Sequence, residues 1–359
     1  MGRPSQARLD LCALRHNVGV ARQLAPHAKI MAVVKANAYG HGAVTIASAL
    51  QSEVDALAVA CIEEALELRY AGISAPILLL EGCFEKDELA KAAQLDLWIT
   101  VENERQLRWL EEARLPAPLR CWLKVDTGMS RMGIQPHLAS AFFQRLQSTQ
   151  NASNEVVTYT HFASADDMRS QQTPQQISTF ESLSFCGLRS AANSAGVLGW
   201  PSAHYDWVRP GYMLYGDSPM LESLSQARAL EPVMTLTSAV ISLREVSVGQ
   251  AVGYGGTWVA QRTSRIATVA VGYGDGYPHK APNGTPVLIN GQRARLAGRV
   301  SMDMITVDVT DLSAIELGSE VVLWGAGLPL AEIARGANTI GYELLTRMPA
   351  RTPRIVVRE

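Results

Sequence analysis

The order of apolar runs and amphipathic segments predicts an α/β protein: a TIM-type (β/α)8 barrel over residues 1–229 and a smaller, mainly β domain over 230–359. Three observations predict it. Strand-like and helix-like stretches alternate eight times between Lys29 and about Gly216. The chemistry-bearing residues of that region fall at the ends of the strand-like runs. Past Leu230 the chain turns β-rich and is punctuated by glycine.

The first strand is read from "KIMAVVKANAYGHG", residues 29–42, in which Ile30 to Val34 run unbroken into Lys35. Such a run suits a strand buried on both faces, and the glycines close it. The following strands are "ALAVA" (56–60), "PILLLEG" (76–82), "LDLWIT" (95–100), "LRCWLKVD" (119–126), "VVTYTHF" (156–162), "LRSAANS" (188–194) and "HYDWVRPG" (204–211). Between them "CIEEALELRYAG" places Ile62, Ala65, Leu66 and Leu68 on one helical face and closes on Gly72. "VENERQLRWLEEARLP" does the same and ends at proline. An open doubly wound sheet is the structural alternative, but no GxGxxG follows the first strand. In the second domain "VMTLTSAVISLREV", "SRIATVAVGYGDGY", "TPVLINGQRARLAGRV", "MITVDVTD" and "GSEVVLWG" read as strands, with Asn290-Gly291 as a hairpin turn. "LAEIARGANTIGYELLTR" reads as one amphipathic segment near the end. Whether the first residues pack on this second domain is left open by the sequence.

Composition narrows the function classes. Lys+Arg number 32 against 34 Asp+Glu, a net charge of -2, and no basic run or stripe points to nucleic acid or a membrane surface. Cys12, Cys61, Cys83, Cys121 and Cys186 are scattered, which argues against a disulfide framework or a metal site and for a reducing compartment. The polar start lacks a signal-peptide core, and no apolar stretch is long enough to span a bilayer. A cytoplasmic location follows as the expectation.

The polar residues then mark a site. Lys35 ends the first barrel strand, Lys124 and Asp126 the fifth, His161 the sixth, Asn193 and Ser194 the seventh, and Arg209 the eighth. A lone lysine at a strand end is commonly one that snorkels to solvent, "NSAG" alone is commonly an N-cap, and an arginine commonly forms a surface salt bridge. Together, a candidate Schiff-base lysine, a small-residue cradle in "NSAG" and "RPGY", and an arginine converge on one barrel mouth. That combination makes a pyridoxal phosphate site the economical hypothesis.

The segments "AVVKANAYGHG", "LKVDTGMSRMG", "THFASAD", "ANSAG", "VRPGYMLYG", "VGYGGTW", "VGYGDGY" and "GRVSMDM" run in order along nearly the whole chain, and in them the sequence resembles the alanine racemases. The resemblance implies a fold-type III pyridoxal-phosphate enzyme that interconverts L- and D-alanine. It implies two acid/base groups on opposite faces of Cα, Lys35 and Tyr254, with Tyr254 and Met302 lent by the partner of a homodimer. It assigns Tyr39, His161, Ser194, Arg209, Gly211, Tyr212 and Tyr342 to the cofactor, with Arg209 facing its ring nitrogen. Gly211 and Tyr212 would act through their backbone N–H groups. Arg131 and the Met302 amide would take the substrate carboxylate, and Tyr273 and Tyr342 would narrow the channel. Lys124 is either carbamylated, as in relatives, or a plain lysine paired with Asp126. Ser301 and Tyr212 depart from the residues common in the family, cysteine and isoleucine.

Three other readings stand beside this one. A broad-specificity racemase on the same scaffold is the first, and the missing export signal counts against it. A decarboxylase of basic amino acids is disfavoured by "VGYGGTW" and "GRVSMDM". A non-catalytic pyridoxal-phosphate carrier would be a single barrel without the β domain.

Overall fold

The computed structural model describes residues 2–183 and 187–358; Cys186 lies outside them. The chain divides into two compact units. One comprises Arg15–Ala38 and Gly42–Leu230, the other Met1–Leu14, Tyr39–His41 and Glu231–Glu359.

The first strand, β1 (Gln6–Asp10), belongs to the second unit. The barrel follows as β2 (Lys29–Val33), β3 (Ala56–Val59), β4 (Ile77–Leu79), β5 (Leu97–Val101), β6 (Cys121–Lys124), β7 (Val157–Tyr159), β8 (Leu188–Ser190) and β9 (Trp207–Val208). All neighbours pair in parallel, and β2 returns to β9 through Lys29–Trp207 and Ile30–Val208, which closes the ring. The eight predicted strands are therefore the eight barrel strands. Strands β3 to β7 are buried throughout, which is why they read as unbroken apolar runs and not as alternating ones. Trp98, Trp122 and Trp207 come from β5, β6 and β9, yet their ring centroids lie 5.5–6.3 Å apart. Only side chains that point into the barrel can meet across it, so these indoles fill its interior.

The helices follow the sequence. Ile62–Tyr70 buries Ile62, Ala65 and Leu68, leaves Leu66 half-buried, and ends before Gly72 at φ 85°. Glu104–Glu112 starts at Asn103, whose side chain accepts the Gln106 N–H.

In the second unit β10 (Met234–Val246), β13 (Ser264–Val269), β14 (Pro286–Ile289), β15 (Gln292–Leu296), β16 (Ile305–Asp308) and β17 (Glu320–Trp324) pair into a ring, closed by β10 against β13. Two short strands, β11 (Ala251–Val252) and β12 (Trp258–Val259), pair separately. The sheet extends through β1, antiparallel to β10, to β18 (Arg354–Arg358), parallel to β1. The assignment of residues 1–229 to the barrel is thus corrected at its start. Ala7 and Leu9 are fully buried on one face of β1, and this alternation needs a one-sided sheet to cover it. Asn290 and Gly291, both at positive φ, make the two-residue turn between β14 and β15. The stretch read as one amphipathic segment forms two helices, Leu330–Gly336 and Gly341–Thr346. Asn338 between them stands at φ 54°, a conformation no right-handed helix continues through. No helix among the described residues is long and apolar enough to cross a membrane.

Candidate active site

The barrel strands deliver their polar residues to the C-terminal rim. Lys35 lies two residues past β2, and the backbone then makes a turn with the wrong hand for L-residues. Ala36, Asn37, Ala38 and Tyr39 all have φ between 49° and 56°, at a cost of roughly 1–2 kcal/mol each. Local hydrogen bonds hold the turn in place. The Glu64 carboxylate accepts the Ala36 N–H at 2.7 Å and the Ala60 N–H at 2.8 Å, and Asn37 Oδ1 accepts the Ala43 N–H at 2.7 Å. Strain of this kind persists where the surroundings over-determine it, and it gathers at functional sites. Glu64 was not singled out in the sequence, because a glutamate early in an amphipathic helix looks like any solvated residue.

Arg209 is buried and meets no carboxylate among the described residues. Its Nη1 donates to Ser190 Oγ at 2.6 Å, and its Nη2 donates to the Thr160 carbonyl at 2.6 Å and the Ala191 carbonyl at 3.2 Å. Ser190 in turn donates to the Trp207 carbonyl. The guanidinium lies 4.9 Å over the Tyr159 ring. Burial pushes its pKa down to about 10, which leaves it charged near neutrality. A surface salt bridge does not describe it. Ser190, Thr160 and Tyr159 are functional neighbours that the sequence reading missed; the strand-end rule could have found Ser190.

Lys124 is the second buried cation, 5.6 Å over the same Tyr159 ring. Burial first, and then Arg131, Arg209 and Lys35, push its pKa down to about 8, against the single opposing carboxylate of Glu102. The proposed pairing with Asp126 is not what that residue does. Asp126 Oδ1 accepts the N–H groups of Gly128, Met129 and Ser130 at 2.9–3.0 Å, folding the loop that carries Arg131. His161 is held well below the usual imidazole range by burial and then by Arg209, Arg131, Lys124 and Lys35, so it is neutral. Gln176 keeps its strand end in place by donating to the His161 carbonyl at 2.9 Å and accepting the Ala163 N–H at 2.9 Å.

Ser194 opens a short helix whose cap is Asn193, which accepts the Gly196 N–H. Ser194 Oγ accepts the N–H groups of Gly211 at 2.9 Å and Met213 at 3.2 Å, which joins the loops after β8 and β9. Tyr212 between them turns its hydroxyl to Asp217 at 2.6 Å. The predicted cradle residues are therefore adjacent. This structure gives the Gly211 amide to Ser194.

The second unit carries the other candidates. Tyr39 and Tyr342 are brought together, with ring centroids 6.1 Å apart, and burial pushes the Tyr39 hydroxyl up to about 12. Tyr254 sits in a turn between Gly253 at φ 75° and Gly255 at φ 69°, with its side chain 72% exposed. That turn lies against Arg299, three residues before Met302. Met302 is 53% exposed and Tyr273 is 43% exposed. Ser301 Oγ donates to the Met304 carbonyl at 2.7 Å and accepts the Met304 N–H at 3.2 Å. The departure at this position thus serves its own turn.

Known proteins resemble the chain over its full length. Residues 9–219 match the family model described as alanine racemase, N-terminal domain, and residues 233–356 match alanine racemase, C-terminal domain. A catabolic alanine racemase of Pseudomonas putida is 51% identical, covering 99% of this chain and 100% of its own. A biosynthetic alanine racemase of Pseudomonas aeruginosa is 50% identical, covering 98% and 99%. The crystal structure of biosynthetic alanine racemase from Pseudomonas aeruginosa superposes with a TM-score of 0.94 at 50% identity, over 99% of this chain and 100% of that one. Two matching domain models in the right order, and half of all residues shared from end to end, make the chain a member of the alanine racemase family.

Proposed function

We propose that the protein interconverts L-alanine and D-alanine with pyridoxal 5′-phosphate at the barrel mouth, acting as a homodimer in the cytoplasm. The observation that carries the reading is the excess of positive charge there. Lys124 and Arg209 both lie over the Tyr159 ring, and Arg131, Arg209 and Lys35 all push the Lys124 ammonium down. Such a mouth fits a ligand with phosphate and carboxylate groups, so the residues present suit this cofactor and substrate. When bound, pyridoxal phosphate draws electrons from Cα, which makes the α-proton acidic enough for a side chain to remove.

The chain's own residues then divide the work. Lys35 holds the cofactor through Nζ and exchanges a proton on one face of Cα, and Tyr254 of the partner subunit does so on the other. A tyrosine 72% exposed on its own subunit suits that loan. Arg131 and the partner subunit's Met302 amide hold the carboxylate. Ser194, Tyr212, Tyr39 and Tyr342 would hold the phosphate, the Gly211 N–H would join them on leaving Ser194 Oγ, and neutral His161 would join the polar network around the ring. Arg209 has donors only, so it cannot take up or keep a proton at the ring nitrogen. With no proton held at that nitrogen, the bound cofactor would be a weaker electron sink, which would favour return of the proton to Cα. Tyr273 and Tyr342 narrow the access. As a carbamate, Lys124 would orient Arg131, and an intact mass larger by one carbon dioxide would establish that form; otherwise it stays a plain lysine.

The test is α-proton exchange followed by NMR in deuterated water with pyridoxal phosphate supplied, on both enantiomers of alanine, serine, lysine and arginine. Exchange and inversion of alanine, with little on the larger substrates, is the expected result. Comparable rates on lysine or arginine would move the reading to a broad-specificity racemase. No exchange on any substrate would overturn it.

A further inference from the structure

Two loops of the second unit lie back to back. Tyr273 N–H donates to the Ser301 carbonyl at 3.0 Å, and Gly274 N–H donates to the Met302 carbonyl at 2.8 Å. A Cβ added to Gly272 would stand 2.2 Å from the Ser301 oxygen, and one on Gly274 would stand 2.7 Å from Arg351 Nη1. Side chains at these two positions would push the loops apart.

Asp275 lies beneath this seam and is fully buried. Its Oδ1 accepts Arg3 Nε at 3.1 Å and faces Arg351 Nε at 3.2 Å. Its Oδ2 accepts Arg3 Nη2 at 2.7 Å and the Gly272 N–H at 2.9 Å. Both arginines continue to the other loop. Arg3 Nη2 donates to the Asp303 carbonyl at 2.5 Å, and Arg351 Nη2 donates to Asp303 Oδ1 at 2.8 Å. Arg3 comes from the segment before β1 and Arg351 from the turn before β18. Two distant parts of the chain thus clamp one aspartate beside Tyr273 and another beside Met302.

A buried ion pair is a weak source of net stability, because desolvation offsets most of the attraction. It is a strong source of geometry, because a forked guanidinium bonds only where its acceptors are placed correctly. The geometry held here is specific. No acceptor among the described residues takes the Met302 N–H, while the Met302 carbonyl on the same residue is fixed to Gly274. The Met302 and Tyr273 side chains stand half in solvent.

We infer that Arg3, Asp275, Arg351 and Asp303 are positioning residues, which fix the direction of the Met302 N–H and of the Tyr273 ring and so set the affinity for the substrate carboxylate. This deepens, and rests on, the reading of the Met302 amide as a carboxylate contact. The clamp touches neither proton-transfer group, so it governs KM and leaves kcat.

The experiment compares the holoenzyme with Arg351→Gln, Arg351→Lys and Arg3→Lys. Asp275 retains at least one arginine and the Gly272 amide in each. KM and kcat are measured in both directions, and acetate is titrated against the protein labelled with 15N-methionine. The expected result for Arg351→Gln is a KM raised about tenfold and kcat changed by less than about twofold. Acetate should bind at the Met302 amide about tenfold more weakly, and Arg351→Lys should fall between. If Arg351→Gln does not fold, the two lysine variants give the same comparison. A parent protein whose Met302 amide responds to acetate, with variants that match it in KM and acetate affinity, overturns the clamp alone. So does a fall in kcat at constant KM. A Met302 amide in the parent protein that ignores acetate overturns the carboxylate reading, and the clamp's purpose with it.

Discussion

Lys124→Met in buffers free of carbon dioxide tests the electrostatics of the barrel mouth directly. The folded state holds the Lys124 ammonium down from 10.5 to about 8, first by burial and then through Arg131 and Arg209. That gap corresponds to about 3 kcal/mol against folding in the fully protonated state. The unfolded chain binds the proton more tightly, so the cost is complete below pH 8 and disappears as the pH rises to 10.5. Methionine keeps the stem and removes the charge. At pH 7 the variant should therefore melt higher than the parent by roughly 6–12 °C, taking about 2–4 °C per kcal/mol for a unit of this size. The two curves should converge by about pH 10.5. Thermal unfolding of the cofactor-free protein, at one concentration and from pH 6 to 10.5, measures both quantities. A variant less stable than the parent at pH 7, with no convergence, would refute the argument. Added bicarbonate provides the counterpart, since a carbamate on Nζ would face Arg131, Arg209 and Lys35 as an anion and stabilise the parent but not the variant.

Three further predictions concern separate residues. Tyr254→Phe should lose about 10²–10⁴-fold in racemisation while cofactor content stays the same; a fully active variant would remove Tyr254 from the chemistry. Arg209→Glu should raise transamination relative to racemisation, since a carboxylate can hold a proton at the ring nitrogen, and an unchanged product ratio after long incubation would contradict this. Gly40→Ala should destabilise the second unit by about 2–5 kcal/mol, from strain at positive φ and overpacking. Its Cβ would stand 1.9 Å from the Leu345 carbonyl at φ 77°, and denaturant unfolding would detect a neutral outcome as readily as a loss.

Strands buried on both faces left a plain record in the sequence, because every residue from Ile30 to Val34 must be apolar when helices cover one side and the barrel interior the other. Asn290-Gly291 was equally legible, since a two-residue hairpin needs positive φ at both positions. The β1 strand was not: five residues alternating in burial resemble a helix start or a loop until the sheet they join is known. The site followed the same division. Lys35 and Arg209 were found because a charge at the end of an apolar run is conspicuous. Glu64, Ser190, Gln176 and Asp275 were missed, because their importance lies in which backbone groups they hold, and a carboxylate or amide that holds a backbone looks in sequence like one that faces water.

By itself, then, the sequence determined the eight-stranded barrel, the β-rich second part, the family, and the residue types available for chemistry. All of these depend on patterns along the chain. Only the tertiary structure decided that β1 belongs with the second unit, that the turn after Lys35 is left-handed, that Asp126 folds its own loop, and that Arg3 and Arg351 meet across Asp275. These depend on partners up to 348 residues apart, and no local pattern records such a separation.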